Sequence, residues 1–241
     1  MSQITETAKS RISAAIRKWI IDLNKYPGWR EWNRSKISYA LYFDDEIQPS
    51  TRHSTEFKFS PEIEIEHAVI MSYMTLQDTV HSLRDVEWYF RRYPFAGTSV
   101  TRHSHLTNCC ELYYSRFYRF RERLKNLFDA VERATPNHNL DVGKFIKLFD
   151  KTFDKEIRAR HNLHHRERFD EVAISRIFLT ESFAASKDQD IWHKEHLAHY
   201  RRTTNEWASR TVLCAEKMDR VLEAVATALL EICTFLKVRC D

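Results

Sequence analysis

The chain has 241 residues, of which 43% are apolar, 30% charged and 13% aromatic. That is enough to bury a core without staples, and too apolar for collagen, mucin or a long disordered tail. Three glycines and five prolines leave little material for turns, which excludes glycine-rich phosphate loops and argues against many short strands. The formal charge of +4, from 38 basic and 34 acidic residues, suits solubility and names no partner.

Ile12, Ala15, Ile16, Trp19 and Leu23 recur at steps of three and four, predicting an amphipathic helix over 4–23 that Pro27 and Gly28 end. From 29 to 60 no helical period holds. Alternating aromatic and polar residues over 36–43 and 55–59, around Pro49, predict a small hairpin or irregular insertion there. Ser60, Pro61, Glu62 and Glu64 then form a helix start: serine caps a free N–H, proline needs none, and acids favour the positive end. This helix should reach about Tyr93, before Pro94.

Thr98 is placed to cap a second long helix reaching Ala134, with Leu112, Phe117, Phe120, Leu124 and Val131 on one face and arginines on another. A third helix carries the stripe Val142, Ile146, Phe149, Phe153 and Ile157; a fourth is expected over 170–185 and a last over 189–239. The last one spaces Trp207, Thr211, Cys214, Met218, Val221 and Val225 as a heptad-like seam, read as the strut of an intramolecular bundle in preference to a dimer interface. The expected architecture is all-α: residues 1–241 form one domain, an antiparallel bundle of long helices over 61–241 preceded by a helix and the insertion over 1–60.

Cys109, Cys110, Cys214, Cys233 and Cys240 are odd in number and form no CxxC pair, so free thiols in a reducing compartment are expected. The polar first eleven residues and the absence of a long apolar run predict neither a signal peptide nor a membrane span, hence a cytoplasmic protein.

Functional side chains are densest from Ile157 to Phe169, where four arginines and three histidines share thirteen residues. Permanent positive charge beside imidazoles that titrate near neutrality suits holding a phosphodiester while moving a proton. Neither glycine loop nor metal is needed.

Arg160-His161-Asn162-Leu163-His164-His165, set among long helices, resembles the HEPN superfamily, whose mark is an Arg, a polar residue, a few further positions and a His near a helix end. The likeness spans about 60–239. It implies a metal-independent endoribonuclease without cofactor, working as a homodimer that joins two motifs across a cleft, of the kind found in toxin or defence systems with an antitoxin or other protein partner. The motif carries over to Arg160, His161 and His165 as catalytic residues. The chemistry is compatible: neutral His165 can take the proton of a ribose 2′-hydroxyl while Arg160 stabilises charge on the phosphate oxygens, leaving a 2′,3′-cyclic phosphate and a 5′-hydroxyl. DNA has no such hydroxyl, so RNA alone would be cut.

On an unbroken helix Arg160 and His165 stand about 140° apart and would not meet on one phosphate. Either the helix ends near Asn162, or two chains complete the site, or the register differs. Arg158 and His165 face alike, and Arg160 with His164 continues the apolar stripe, so Arg158 and His164 are reserve candidates. The plainer reading pairs Arg160 and His164 with acids such as Asp150 or Asp154, leaving His165 and Arg166 as a solvated helix end.

Arg116, Arg119 and Arg123 form a basic stripe interleaved with Tyr113, Tyr114, Phe117, Tyr118 and Phe120. Arg116 and Arg119, with Arg166, are candidate RNA-phosphate contacts, against the plainer reading of core aromatics and solvated arginines. His193, His196 and His199 fan over about 120° of helix and read as solvated histidines ahead of a zinc site, while His103, His105, Cys109 and Cys110 lack an orienting partner. No metal is expected. The rival to the nuclease is a non-catalytic bundle that binds RNA or a protein through the same basic surface.

Overall fold

A computed structural model describes residues 6–41, 57–165, 171–185 and 190–237, with backbone alone for 38–41 and 160–165. Among the described residues the chain is all-helical, without a strand: α1 (Ala8–Leu23), α2 (Trp29–Leu41), α3 (Pro61–Arg91), α4 (Arg102–Ala134), α5 (Val142–Thr152), α6 (Asp154–His165), α7 (Val172–Ala184), α8 (Asp190–Ile232) and a 3-10 turn at Thr234–Leu236. No described helix is long and apolar enough to cross a membrane. The residues group into two compact units: 1–71, 130–138 and 223–241 form the first, and 72–129 and 139–222 the second.

In the first unit α1 buries Ile12, Ala15, Ile16 and Leu23, the predicted stripe except for half-exposed Trp19. The Glu223 carboxylate accepts from the Ala8 and Lys9 N–H groups at 2.5 and 3.2 Å, placing negative charge on free donors at the positive helix end. Trp19 Nε1 donates to Glu66 at 2.7 Å, tying α1 to the start of α3. The insertion expected over 29–60 is a correction: residues 29–41 are the helix α2, and 42–56 lie outside the described residues. Gly28 takes φ +78°, turning the chain sharply between α1 and α2 at no Cβ cost. Trp29 and Trp32, three apart, share a helical face and pack on Phe57 and Phe59, while Lys36, one turn on, lies 4.8 Å over the Trp32 ring. Residues 36–41, the described part of the 36–43 alternation that predicted a strand, continue this helix.

The second unit is the bundle that carries the candidate site. Phe90 stacks on Trp207 and Arg84 reaches Asp219, so α3 and α8 run antiparallel; Thr75 and Thr79 meet Arg123 while Tyr89 meets His105, so α3 and α4 do as well. Phe117, Phe120 and Phe128 meet Phe153, Phe149 and Phe145 in turn, setting α5 antiparallel to α4. His199 bonds Ala173, His196 bonds Thr180 and Trp192 packs on Phe183, setting α7 antiparallel to α8. The seam of α8 turns inward, with Trp207, Thr211, Cys214 and Met218 buried.

Helix ends differ from expectation in informative ways. α4 starts at Arg102 because Thr101, not Thr98, caps it: Thr101 Oγ1 accepts from Ser104 N at 3.1 Å, while Thr98 Oγ1 donates to Phe95 O and holds the preceding turn. The Glu181 carboxylate adds acceptors for the Arg102 and His103 N–H groups. The single stripe from Val142 to Ile157 is two helices, broken at Phe153, whose φ −117° and ψ 27° leave the helical region while its ring stays buried. α8 ends at Ile232 rather than 239, where Cys233 adopts extended backbone and its side chain is buried.

Candidate functional site

The break at Phe153 re-aims the chain by one residue, so α6 starts on its own axis with Asp154 and Glu156 in the first turn, where acids suit the helix dipole. Glu156 is only 7% exposed. A carboxylate so buried needs a cation and donors. It accepts from Arg210 Nη2 of α8 at 3.1 Å, and the Tyr113 hydroxyl of α4 lies 3.4 Å from it and 3.2 Å from Cys214 Sγ. The Arg210 guanidinium also faces the rings of Trp207, Tyr113 and Tyr114 at 4.8, 5.5 and 5.7 Å. Burial pushes the Tyr114 hydroxyl up to about 12 against the pull of Arg210, and raises Tyr113 further in the same direction, so both stay neutral donors. Burial also lifts the Glu171 carboxyl, just before α7, against Arg210 and with help from Glu206. The root of α6 is thus pinned to α4 and α8 by one ion pair in an aromatic box.

From that root α6 continues without a break to His165. The helix does not end near Asn162, so the Cα positions of 160 and 165 lie about 140° apart around one axis. The side chains of Arg160, His161, His164 and His165, and Arg166 altogether, lie outside the described residues. Arg158 is 78% exposed and its Nε meets Asp154 Oδ1 at 2.7 Å. Asp150, the other acid considered as a partner for the motif, is engaged by Arg121 through Nε at 2.7 Å and Nη2 at 2.9 Å.

The basic stripe of α4 divides. Arg123 turns to α3, donating to Thr75 O at 2.8 Å and Thr79 Oγ1 at 2.6 Å, with Asp78 at 3.7 Å. Arg116 is half-buried with its Nε lacking a hydrogen-bond partner, and burial with the charges of Arg119 and Arg123 draws it below the ordinary arginine range. Arg119 is exposed. Of the interleaved aromatics Tyr113, Tyr114, Phe117 and Phe120 are core, and Tyr118 is exposed.

His196 and His199 are not solvated: both are buried against α7, through Thr180 Oγ1 at 3.2 Å and Ala173 O at 3.1 Å, while His193 is exposed. His105 bonds Tyr89 O at 2.9 Å with Cys109 Sγ beside its ring. Among the described residues no cluster of His, Cys, Asp and Glu has the geometry of a metal site. Cys109, Cys110, Cys214 and Cys233 are free and buried, and burial pushes Cys109 up to about 12 and Cys233 to about 11, far from a nucleophilic thiolate.

Glu156 and Arg210 escape a reading by motif alone. The signal was present: Glu156 falls on the apolar stripe three residues after Phe153, and Arg210 three residues after Trp207 on the α8 seam, so each charge on a core face demanded the other. The chain matches no protein-family model, no curated protein and no solved structure.

Proposed function

We propose that the chain is a metal-independent endoribonuclease of HEPN type, in which Arg160, His161 and His165 at the end of α6 form the reacting centre and two copies complete it. The observation that supports this reading most is the build of α6: a continuous helix rooted on the buried Glu156–Arg210 pair, with Arg158 exposed on its outer side and the Arg-His segment at its far end. An all-helical bundle around that segment agrees with it.

The continuous helix has a mechanistic consequence. With about 140° between positions 160 and 165, one copy cannot bring both groups to one phosphate, so Arg160 of one chain works with His165 of the other. In the reaction the neutral His165 imidazole accepts the proton of the ribose 2′-hydroxyl, the O2′–P bond forms and the P–O5′ bond breaks. Arg160 binds the non-bridging oxygens, where negative charge grows. The departing O5′ takes a proton from a second imidazolium, assigned to His161, giving a cyclic phosphate and a 5′-hydroxyl. Arg166 and Arg119 supply phosphate contacts outside the reacting centre.

The test is cleavage of a labelled single-stranded RNA in EDTA by the wild type, Arg160→Ala and His165→Ala. Cleavage should persist in chelator, leave cyclic-phosphate ends, and fall by about a hundredfold or more in each variant, the scale of a lost acid–base or charge-stabilising group. Undiminished cleavage in both variants would discard the site; RNA affinity without cleavage in the wild type would favour the non-catalytic bundle.

A further inference from the structure

Between the end of α3 and the start of α4 lies an open apolar groove of about 750 Å³, lined mainly by Trp88, Tyr89, Phe95, His105, Cys109 and Leu112, with Arg92 and Asn108 also in its wall. Its volume falls in the range of small-ligand sites. Two large aromatic side chains are left in solvent there, Trp88 at 57% and Tyr89 at 49% exposed. The Arg92 guanidinium stands 5.6 Å over the Trp88 ring.

Charge makes the groove more specific than an apolar hollow. Arg116 and Arg119 follow Leu112 on α4 at steps of four and three, so two basic positions continue the line of the groove wall along one helix face. Asp78, the acid acting on Arg116, is already engaged by Arg123 at 3.7 Å. Exposed aromatic faces beside positive charge with few acids suit a ligand that is flat and apolar in one part and anionic in the next. A single-stranded nucleic acid alternates in that way: bases stack on aromatic rings, and phosphates pair with arginine.

We propose that this groove seats an unpaired nucleobase of a single-stranded nucleic acid on Trp88 and Tyr89, with the flanking phosphates on Arg92, Arg116 and Arg119. Asn108 offers an amide to the base edge. The site stands apart from α6 in sequence and needs no cleavage, so it holds whether or not the chain is a nuclease.

The measurement is fluorescence anisotropy at low salt with labelled oligodeoxyadenylate, which has no 2′-hydroxyl and cannot be cut by the mechanism above. An abasic strand of equal length and a DNA duplex serve as controls. Oligodeoxyadenylate should bind more tightly than either control, and Trp88→Ala should weaken it about tenfold while leaving the abasic strand unaffected. Arg92→Ala should reduce the slope of log affinity against log salt by about 0.7. Both side chains are on the surface, so the folded state is retained, which circular dichroism checks. Equal affinity for the abasic strand, or no effect of Trp88→Ala, overturns the proposal and leaves the groove to a protein partner. RNA cleavage lost in His165→Ala with strand binding intact would separate the two sites; cleavage with a Trp88-indifferent affinity would sink this inference alone.

Discussion

Arg210 Nη2 donates to Glu156 Oε1 at 3.1 Å across 54 residues of sequence, and this bond fixes where the Arg-His helix springs from the bundle. The carboxylate is almost fully buried while the guanidinium keeps about a third of its side-chain surface in solvent, so the two residues are not equivalent partners.

Removing the cation therefore hurts more than removing the pair. Arg210→Met should cost about 2 to 4 kcal/mol, because it strands a buried carboxylate. Arg210→Met combined with Glu156→Met should regain a good part of it by replacing charges with packing surface. Urea titration of the two single variants and the double variant gives the coupling, and strict additivity would contradict the pairing.

Arg158 is the converse case. Its bond to Asp154 is an exposed i,i+4 pair, so Arg158→Ala should change stability by less than about 0.5 kcal/mol. A thermal melt unchanged beside a marked loss of RNA cleavage would move Arg158 from reserve to working residue; unchanged cleavage would assign it to the surface pair alone.

Acid should act on α8 through His196. The Thr180 hydroxyl donates to a backbone carbonyl, which leaves its oxygen to accept from His196 Nδ1, and His196 Nε2 is buried without a hydrogen-bond partner, so the surroundings favour the neutral ring. Burial, with Arg102 and His193 nearby, lowers its pKa below 6.5 against the opposing pull of Glu181 and of a hydrogen bond to the Ile177 backbone. The sign follows: below 6.5 the unfolded chain takes up the proton first, so stability falls as pH drops from 6.5 through the folded-state value. The slope from this one group is at most about 1.4 kcal/mol per pH unit. His196→Gln should flatten that part of the stability–pH curve measured by denaturant unfolding, and an unaltered slope would contradict a neutral buried ring.

Thiol chemistry offers a fourth check. With Cys109 raised to about 12 and Cys233 to about 11 by burial, both should resist alkylation by iodoacetamide at pH 8 until the protein is denatured. Rapid labelling of either in the native state, located by peptide mass, would show that the packing around it opens.

Much of the bundle could be read from spacing because apolar steps of three and four report directly on which face is buried. α1, α3, α4 and the seam of α8 follow that rule, and Ser60-Pro61 marks the start of α3 as capping chemistry requires. What spacing does not carry is a break that keeps its apolar residue in the core. Phe153 stays buried on both sides of the α5–α6 junction, so periodicity continues through a turn where the backbone does not. The alternation over 36–43 misled for another reason: so short a run satisfies a strand template and a helix template alike, and its residues 36–41 continue α2. At the candidate site the arginines and histidines were visible as composition, whereas the Glu156–Arg210 pin depends on two helices meeting and left only its two misplaced charges as a clue.

Glu223 supplies a last consequence. The acceptors that satisfy the first donors of α1 come from a residue 215 positions downstream. A ribosome delivers that carboxylate only after the intervening residues have emerged, so until then α1 must wait, frayed at its N-terminal edge. The fastening of α1 is therefore a late event relative to its own synthesis, and nascent chains halted before position 223 should leave it exchanging amide protons as an unanchored peptide would.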